Sequence, residues 1–156
     1  MSGFFPLTLI VYFSTDTTIF FITTEENATV PRKCSPQAAG FDLFCVEPEK
    51  ISAGSITTVD TKIKVLLPRG TYGRIASRSS LCLNGLFVQG GVIDRDFQGT
   101  IKVIFYNSSK DDYYFSPGER IAQLILEKIA EAEVQIMHGI WTDTARGEGG
   151  FGSTGK

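Results

Sequence analysis

Polar side chains that could do chemistry interrupt several apolar stretches of this 156-residue sequence. The stretch AAGFDLFC carries Asp42 and GERIAQLI carries Gln123, each inside a strand-like run, while GGVIDRDFQG places Asp94 and Asp96 between glycines. Carboxylate and amide oxygens suit a hard cation such as Mg²⁺, and a carboxylate can also activate a water molecule. Each cluster alone could consist of turn or salt-bridge residues, but together they describe one site.

The stretch GRIASRSSL adds positive charge and hydrogen-bond donors. It brings Arg74, Arg78, Ser79 and Ser80 to a predicted strand-to-helix turn. Backbone N–H groups at the start of a helix are available to an anion, and a guanidinium binds phosphate oxygens in pairs. This combination predicts phosphate binding next to the acidic residues.

The sequence RGEGGFGSTGK contains the spacing Gly150-x-x-x-x-Gly155-Lys156, which begins a nucleotide-binding P-loop. A P-loop follows a buried strand and leads through Ser or Thr into a helix, whereas the preceding DTARGEG is polar and rich in breakers. We therefore expect no P-loop. A disordered tail is one alternative; the other is an arm that closes over a nucleotide, with Arg146 and the backbone donors on the phosphates and Phe151 on the base.

The elements that must position these residues are nearly all strand-like. TKIKVLLP and TIKVIFY alternate apolar and polar residues, TTIFFITT is β-branched and aromatic, and RIAQLILEKI and EVQIM are further candidate strands. Turn-forming stretches such as LPRGTYG and NSSKDD recur at short intervals. The pattern predicts an all-β sandwich or barrel, with one short helix near SRSSLCLN.

Composition excludes several classes of function. A net charge of −2 and a pI near 5.4 argue against a nucleic-acid binder. Three cysteines without a CxxC pair predict neither a zinc site nor a disulfide framework, so we expect a reduced intracellular protein of the cytoplasm or nucleus. His138 is the only histidine, which removes most Ser-His and Cys-His schemes. The apolar FFPLTLIVYF lacks signal-peptide features and is too short to span a bilayer, so we expect an extra strand or a loose extension and no membrane partner.

Five of these stretches, in this order, resemble the five motifs of the trimeric dUTPase family: AGFDL, GRIASRSSL, GGVIDRDFQG, GERIAQLI and RGEGGFGSTG. The resemblance begins near Asn27 and leaves a 1–18 extension outside it. It implies a β-jelly-roll, β-clip-like domain over 19–145 with one short helix, and a flexible arm over 146–156 that closes the active site. It also implies a homotrimer whose three active sites each use three chains, and Mg²⁺-dependent hydrolysis of dUTP to dUMP and pyrophosphate.

The same resemblance assigns roles to residues. Asp94 looks like the general base that activates water for attack on the α-phosphorus, and Phe97 would stand against C2′ of the sugar. Asp42 and Gln123 would hold Mg²⁺ through water. The phosphates would be bound by Arg78, Ser79, Ser80 and Arg146. Uracil would be read by main-chain groups around Gly91, Val92, Ile93 and Lys102, and the arm would close the site through Phe151, Gly152, Ser153 and Thr154.

The sequence departs from the usual family motifs at several positions. Phe97 and Phe41 stand where the family usually has Tyr, and Ser77-Arg78-Ser79-Ser80 replaces a common Pro-Arg-Ser-Gly. The steric wall at Phe97 is retained without the hydroxyl's hydrogen bond, and the path of the Ser77–Ser80 loop is left open.

Two other functions fit the same resemblance. A dCTP deaminase of the same superfamily can also have Arg-Ser-Ser in the second motif and depends on a glutamate, for which Glu127 is the candidate. A non-catalytic interaction protein could retain the fold. Gln123, the GVIDRDF stretch and the terminal arm favour the dUTPase interpretation over both.

Overall fold

A computed structural model of the chain describes residues 17–139, 142–147 and 149. Within this part of the chain, eleven strands and one helix occur. In chain order they are β1 (Phe20–Thr23), β2 (Gly40–Phe44), β3 (Glu49–Ile51), β4 (Ile56–Asp60), β5 (Ile63–Leu66), β6 (Thr71–Ala76), α1 (Ser79–Leu83), β7 (Leu86–Gln89), β8 (Val92–Ile93), β9 (Lys102–Asn107), β10 (Tyr113–Phe115) and β11 (Arg120–Lys128). The predicted all-β class with one short helix is confirmed.

The strands pair antiparallel in two larger sheets and two ribbons. The larger sheets have the strand orders β2-β11-β6-β8 and β4-β9-β7, and the ribbons are β1-β5 and β10-β3. Both larger sheets bury apolar side chains in one hydrophobic cluster, including Leu43 and Leu124 from the first and Val59 and Phe105 from the second. Two sheets that share one core form a jelly-roll-like subunit.

The alternation seen in the sequence corresponds to the buried faces of two strands. Ile63 and Val65 of β5 and the following Leu67 are buried, whereas Lys64 between them is exposed. On β9 the same period of two buries Val103 and Phe105, next to the buried Ile101. Both strands therefore turn one face to the core, as the period predicted.

The prediction of a strand at EVQIM is wrong for the single chain. Residues 133–137 have no strand conformation, and Val134 and Ile136 are 98% and 81% exposed. Within the described ranges, β11 ends at Lys128 and no later strand follows. An alternating sequence becomes a strand only where it pairs with a sheet edge, and within the described residues no strand pairs with this segment.

The three cysteines, Cys34, Cys45 and Cys82, are all free thiols. Burial raises the pKa of the Cys45 thiol to about 11, and that thiol donates a hydrogen bond to the carbonyl of Glu47. No disulfide crosslinks the described residues. The apolar stretch FFPLTLIVYF lies outside them, and none of the helices that are described is long and apolar enough to cross a membrane.

Candidate active site

Asp42 and Gln123 lie side by side on two neighbouring strands of the four-stranded sheet. Asp42 of β2 is the direct partner of Gln123 on β11, and Gln123 is also the partner of Ala76 on β6. Directly opposed residues on one face of a sheet have their Cβ atoms about 5 Å apart. The two residues that the sequence predicted for the metal are therefore neighbours.

The Asp42 carboxylate is surrounded by two arginines. Its Oδ1 lies 3.6 Å from Nε of Arg78 and its Oδ2 lies 3.5 Å from Nη1 of Arg120. Arg78 Nη1 also donates to the backbone carbonyl of Arg120 at 2.8 Å. The structure thus holds the predicted phosphate-binding arginine beside the predicted metal residue, with its orientation set by an acid and a carbonyl.

Gln123 is held by a hydrogen bond, and its amide has room because the nearby Gly40 has no side chain. Its Nε2 donates to the carbonyl of Ser77 at 3.2 Å. A Cβ on Gly40 would come within 2.8 Å of Gln123 Oε1, so glycine at the start of β2 leaves room for the amide. The side chain consequently bridges β2 and the turn that follows β6.

Ser79 and Ser80 form the first turn of α1, and Arg78 is the residue before it, in extended conformation with φ −89° and ψ 136°. The predicted strand-to-helix turn is confirmed. Lys62 is the only non-glycine residue with positive φ in the described part of the chain. Ser80 therefore adopts ordinary helical geometry, and replacing the family's usual glycine costs no backbone strain here.

The stretch GGVIDRDFQG connects two strands of a hairpin, because β7 and β9 pair from Leu86↔Asn107 to Gln89↔Ile104. The first half of this stretch leaves β9 and pairs, as β8, with β6 of the other sheet. There the carbonyl of Gly91 accepts the N–H of Ile75 at 2.7 Å. Gly91 has φ +94°, and a Cβ there would lie 2.9 Å from Ile75. This close approach explains why glycine occupies the position.

An open cavity of about 510 Å³ lies beside this hairpin and is lined by Ile93, Phe97, Gly99, Thr100 and Lys102. Small-molecule sites commonly measure roughly 300–1,000 Å³. The Phe97 ring lies over Gly99, where a Cβ would meet the ring at 2.5 Å. Three residues predicted to contact the nucleoside therefore line one cavity.

Asp94 is exposed at the end of β8 and begins the turn that leads to Phe97. Its carbonyl accepts the N–H of Phe97 at 3.1 Å. The first and fourth residues of such a turn have Cα atoms less than about 7 Å apart. The predicted base, Asp94, thus lies close to Phe97, which lines the cavity, and is accessible to solvent.

Comparison with known proteins agrees with this arrangement. The dUTPase family model matches residues 26–155. Proteins named deoxyuridine 5'-triphosphate nucleotidohydrolase from Debaryomyces hansenii and Paramecium bursaria Chlorella virus 1 are 47% and 48% identical over 84% and 83% of this chain, and over 83% and 92% of their own lengths. The Saccharomyces cerevisiae protein of that name is 46% identical over 83% of this chain and 89% of its own.

The chain belongs to the dUTPase family.

Solved dUTPases share its fold. A mutant dUTPase of Staphylococcus bacteriophage 80alpha with dUpNHpp has a TM-score of 0.82 at 25% identity, covering 90% of this chain and 99% of its own. A mutant dUTPase of phage phi11 of S. aureus, described with a coordinated structural Mg(II) ion, has a TM-score of 0.73 at 21% identity, covering 78% of this chain and 97% of its own. The second likeness supports the fold alone.

Of the fifth dUTPase motif, the structure describes only Arg146, Gly147 and Gly149. Arg146 lies in an exposed turn, and its Nε donates to the carbonyl of Gly149 at 2.9 Å, within its own segment. Phe151, Gly152, Ser153 and Thr154 lie outside the described residues. The predicted contacts of the arm with the site remain predictions.

Glu127, the glutamate of the rival deaminase interpretation, belongs to a different cluster. Its carboxylate accepts hydrogen bonds from the hydroxyl of Tyr72 and, at 2.6 Å, from Arg74 Nε. The Tyr72 hydroxyl and then Arg74 lower the pKa of Glu127. It lies four positions after Gln123, roughly 13 Å along a strand. Glu127 is thus an ionised partner of Arg74, away from the Asp42–Arg78 pair.

Sequence reasoning missed two contacts of the candidate site. Arg120 contacts Asp42 and provides the carbonyl that holds Arg78. It lies inside the fourth motif, and a charged residue beside an apolar strand could have indicated that it belongs to the site. The hydroxyl of Ser77 accepts the backbone N–H of Val88 at 2.8 Å. That contact joins the turn after β6 to β7 of the other sheet, so the sequence carries no local sign of it.

Proposed function

We propose that this chain hydrolyses dUTP to dUMP and pyrophosphate, and so limits uracil in DNA and supplies dUMP for dTMP synthesis. The family match over residues 26–155, which includes all five motifs, carries the proposal. The adjacency of Asp42, Arg78 and Gln123 and the cavity beside Phe97 support it, because a nucleotide hydrolase needs a phosphate site and a nucleoside site.

The phosphate end of the substrate would bind at the turn that begins α1. Arg78 would pair with phosphate oxygens, and Ser79 and Ser80 would add hydroxyl and backbone donors at the helix start. The 22% side-chain exposure of Arg78 leaves it accessible while Asp42 and the Arg120 carbonyl hold it in place. Local charge of this kind suits a chain whose net charge is −2.

The residues present fit Mg²⁺ bound through water. The described residues contain no group of three or more His, Cys, Asp or Glu side chains placed to hold a metal, and Mg²⁺ commonly keeps several waters and takes one or two carboxylates plus substrate phosphates. Asp42 and Gln123, adjacent on one sheet face, would hold those waters. When bound, the ion neutralises charge on the phosphates.

Asp94 would act as the general base. Its exposed position at the start of the turn to Phe97 would allow it to hold a water in line with the α-phosphorus and to accept its proton. The nucleoside would lie against Phe97, with uracil read by main-chain groups of Gly91, Val92, Ile93 and Lys102. Phe151 would stack on the base, and Arg146, Gly152, Ser153 and Thr154 would close over the phosphates.

We also propose a homotrimer with shared active sites, built from the 19–145 domain with an arm over 146–156 and an extension over 1–18. Residues 128–139 are exposed throughout, and the apolar Val134, Ile136 and Met137 find no cover within the described residues of their own subunit. A neighbouring subunit would bury them and receive the arm.

The three free thiols suit a reducing compartment, the cytoplasm or nucleus.

The trimer has a direct test. Sedimentation equilibrium should give a mass of about three 17.1 kDa chains in the active preparation. Val134→Asp combined with Ile136→Asp should shift the protein toward smaller species and reduce activity, because a charged side chain cannot be buried at the contact. The exposed Thr58→Asp on β4 serves as the matched control. A fully active native monomer would refute the shared site.

The reaction is tested by pyrophosphate release from dUTP, dCTP, dTTP and UTP, each with and without Mg²⁺. The proposed function requires rapid release from dUTP alone and a large loss when Mg²⁺ is chelated. Ammonia release from dCTP would instead identify a deaminase, and no product from any of the four would favour a binding protein on this fold.

Phe97→Ala should weaken discrimination against UTP more than it weakens dUTP hydrolysis. Removing the ring opens the cavity wall where a ribose hydroxyl would otherwise clash, and a hydrophobic wall of this kind gives selectivity on the order of a hundredfold. The measurement is the ratio of kcat/KM for dUTP to that for UTP, with Phe97→Tyr, the usual family residue, as the control that retains it. An unchanged ratio in Phe97→Ala would place sugar recognition elsewhere.

A further inference from the structure

One carboxylate connects the cavity beside Phe97 to the turn that joins β4 to β5. Asp60, the last residue of β4, is half-buried and pairs with Lys102 on β9. Its Oδ2 accepts the hydroxyl of Thr100 at 3.0 Å, and Thr100 lines the cavity together with Phe97 and Lys102. Its Oδ1 accepts the backbone N–H of Lys62 at 2.9 Å. A single side chain therefore holds both the cavity wall and the β4–β5 turn.

The β4–β5 turn contains a strained residue. Lys62 has φ +55°, in the left-handed region that glycine adopts most easily, and within the described ranges no other residue except glycine has a positive φ. Asp60 accepts its N–H, Thr24 donates its N–H and its hydroxyl to the Lys62 carbonyl at 2.9 and 3.0 Å, and Lys62 Nζ lies 3.0 Å from Oε1 of Glu25. Strained residues that their surroundings fix in this way cluster at functional sites.

The same turn also holds the backbone between Thr100 and β9. The carbonyl of Ile101 accepts the N–H of Thr61 at 3.1 Å and the Thr61 hydroxyl at 2.8 Å. The N–H of Ile101 donates to the carbonyl of Ile63 at 2.7 Å. Thr61 and Ile101 are buried, so water does not compete for these bonds. The turn thus fixes two consecutive residues of the wall, and the bond from Thr100 to Asp60 is the one made by a side chain that lines the cavity.

We propose that Asp60 is a positioning residue for the nucleoside end of the site. It fixes Thr100 and the backbone that leads to Lys102, so that the cavity beside Phe97 is formed before the nucleotide binds. This role rests on the proposed function, in which main-chain groups near Lys102 read the base. Asp60 acts through Thr100 and needs no contact with the substrate. A wall that is already ordered loses less conformational entropy on binding, so loss of the bond should weaken binding of the nucleoside rather than slow the reaction at the phosphorus.

The test compares Thr100→Val, which removes the hydroxyl and keeps the branched shape, with Thr100→Ser, which keeps the hydroxyl. Thr100→Val should raise KM for dUTP on the order of tenfold and change kcat less than about twofold. Inorganic tripolyphosphate, which can engage only the phosphate end, should inhibit the variant and the native chain equally. Thr100→Ser should recover most of the affinity. Thr71→Val, which removes a hydroxyl bonded to the carbonyl of Pro68 at the start of β6, should change neither KM nor kcat.

A double-mutant cycle separates this role from a direct contact between Thr100 and the substrate. Asp60→Ala should raise KM at least as much as Thr100→Val, and the double variant should be no worse than Asp60→Ala alone, because residues that act through one bond are not additive. A further rise in KM on adding Thr100→Val would show that the two residues act independently and would overturn the proposal. An unchanged KM in Thr100→Val, or a tripolyphosphate inhibition constant that rises together with KM, would overturn it as well.

If Asp60→Ala fails to fold, the cycle is measured in a Lys62→Gly background, because glycine adopts φ +55° without strain. The same lack of additivity is expected there. A native chain that releases no pyrophosphate from dUTP would refute the proposed function, and with it the role of Asp60. A fully active native chain with an additive cycle would refute the role of Asp60 alone.

Discussion

Asp94→Asn should bind dUTP about as tightly as the native chain and turn it over roughly a hundredfold or more slowly. Asparagine has nearly the same shape as aspartate and can still hold a water by a hydrogen bond, but it cannot accept the proton of the attacking water. Asp94 is exposed and begins the turn to Phe97, so the substitution removes no buried contact. Steady-state pyrophosphate release gives kcat, and calorimetry with a non-hydrolysable dUTP analogue gives affinity.

Asp96→Asn provides the matched control. Asp96 lies two residues further along the same turn but lines a second cavity, together with Ile22, Lys64 and Leu66, on another side of Phe97. The substitution removes the same charge from the same loop, so an electrostatic effect of the loop as a whole would slow both variants alike. A slow Asp96→Asn beside a fast Asp94→Asn would assign the base to Asp96.

The fold was predictable wherever a strand has one buried face. Period-two alternation located β5 and β9 because Ile63, Val65, Val103 and Phe105 pack against a core that every copy of the chain contains. The same alternation at EVQIM predicted a strand that the single subunit does not form. Alternation of apolar and polar residues indicates that one face of a segment is apolar. It does not indicate whether that face is buried by the chain's own core or by another molecule.

The sequence indicates candidate site residues where a polar residue interrupts an apolar stretch. Asp42 and Gln123 are polar residues in apolar strands, and the structure makes them direct partners. The contacts of Arg120 and of the Ser77 hydroxyl were missed because they depend on which elements become neighbours. Arg120 meets Asp42 across β11 and β2, and Ser77, in the turn after β6, meets Val88 of β7. Such contacts follow from topology, which a single sequence does not reveal residue by residue.

Deleting residues 147–156 should leave a folded assembly that has lost most of its activity, roughly tenfold or more. The described contacts of Gly147 and Gly149 are local: Gly147 N–H donates to the carbonyl of Thr144, and Gly149 carries bonds only with Arg146. Removing them takes no side chain from the core, so the thermal midpoint should change little. Closure of the arm over the nucleotide would be lost, and with it the ordering of the triphosphate for in-line attack.

Single substitutions separate an arm of this kind from a P-loop. Phe151→Ala should reproduce part of the loss of activity, whereas Phe151→Trp should reproduce little of it, because stacking on a base needs only a flat ring. Lys156→Ala should leave kcat/KM unchanged, since the arm works through a ring, backbone donors and hydroxyls. In a P-loop the lysine reaches the β- and γ-phosphates and cannot be spared. A Lys156→Ala enzyme as slow as the deletion would therefore require the phosphate-loop interpretation of GFGSTGK, while a Phe151→Ala enzyme of native activity would remove the base-stacking role from the arm.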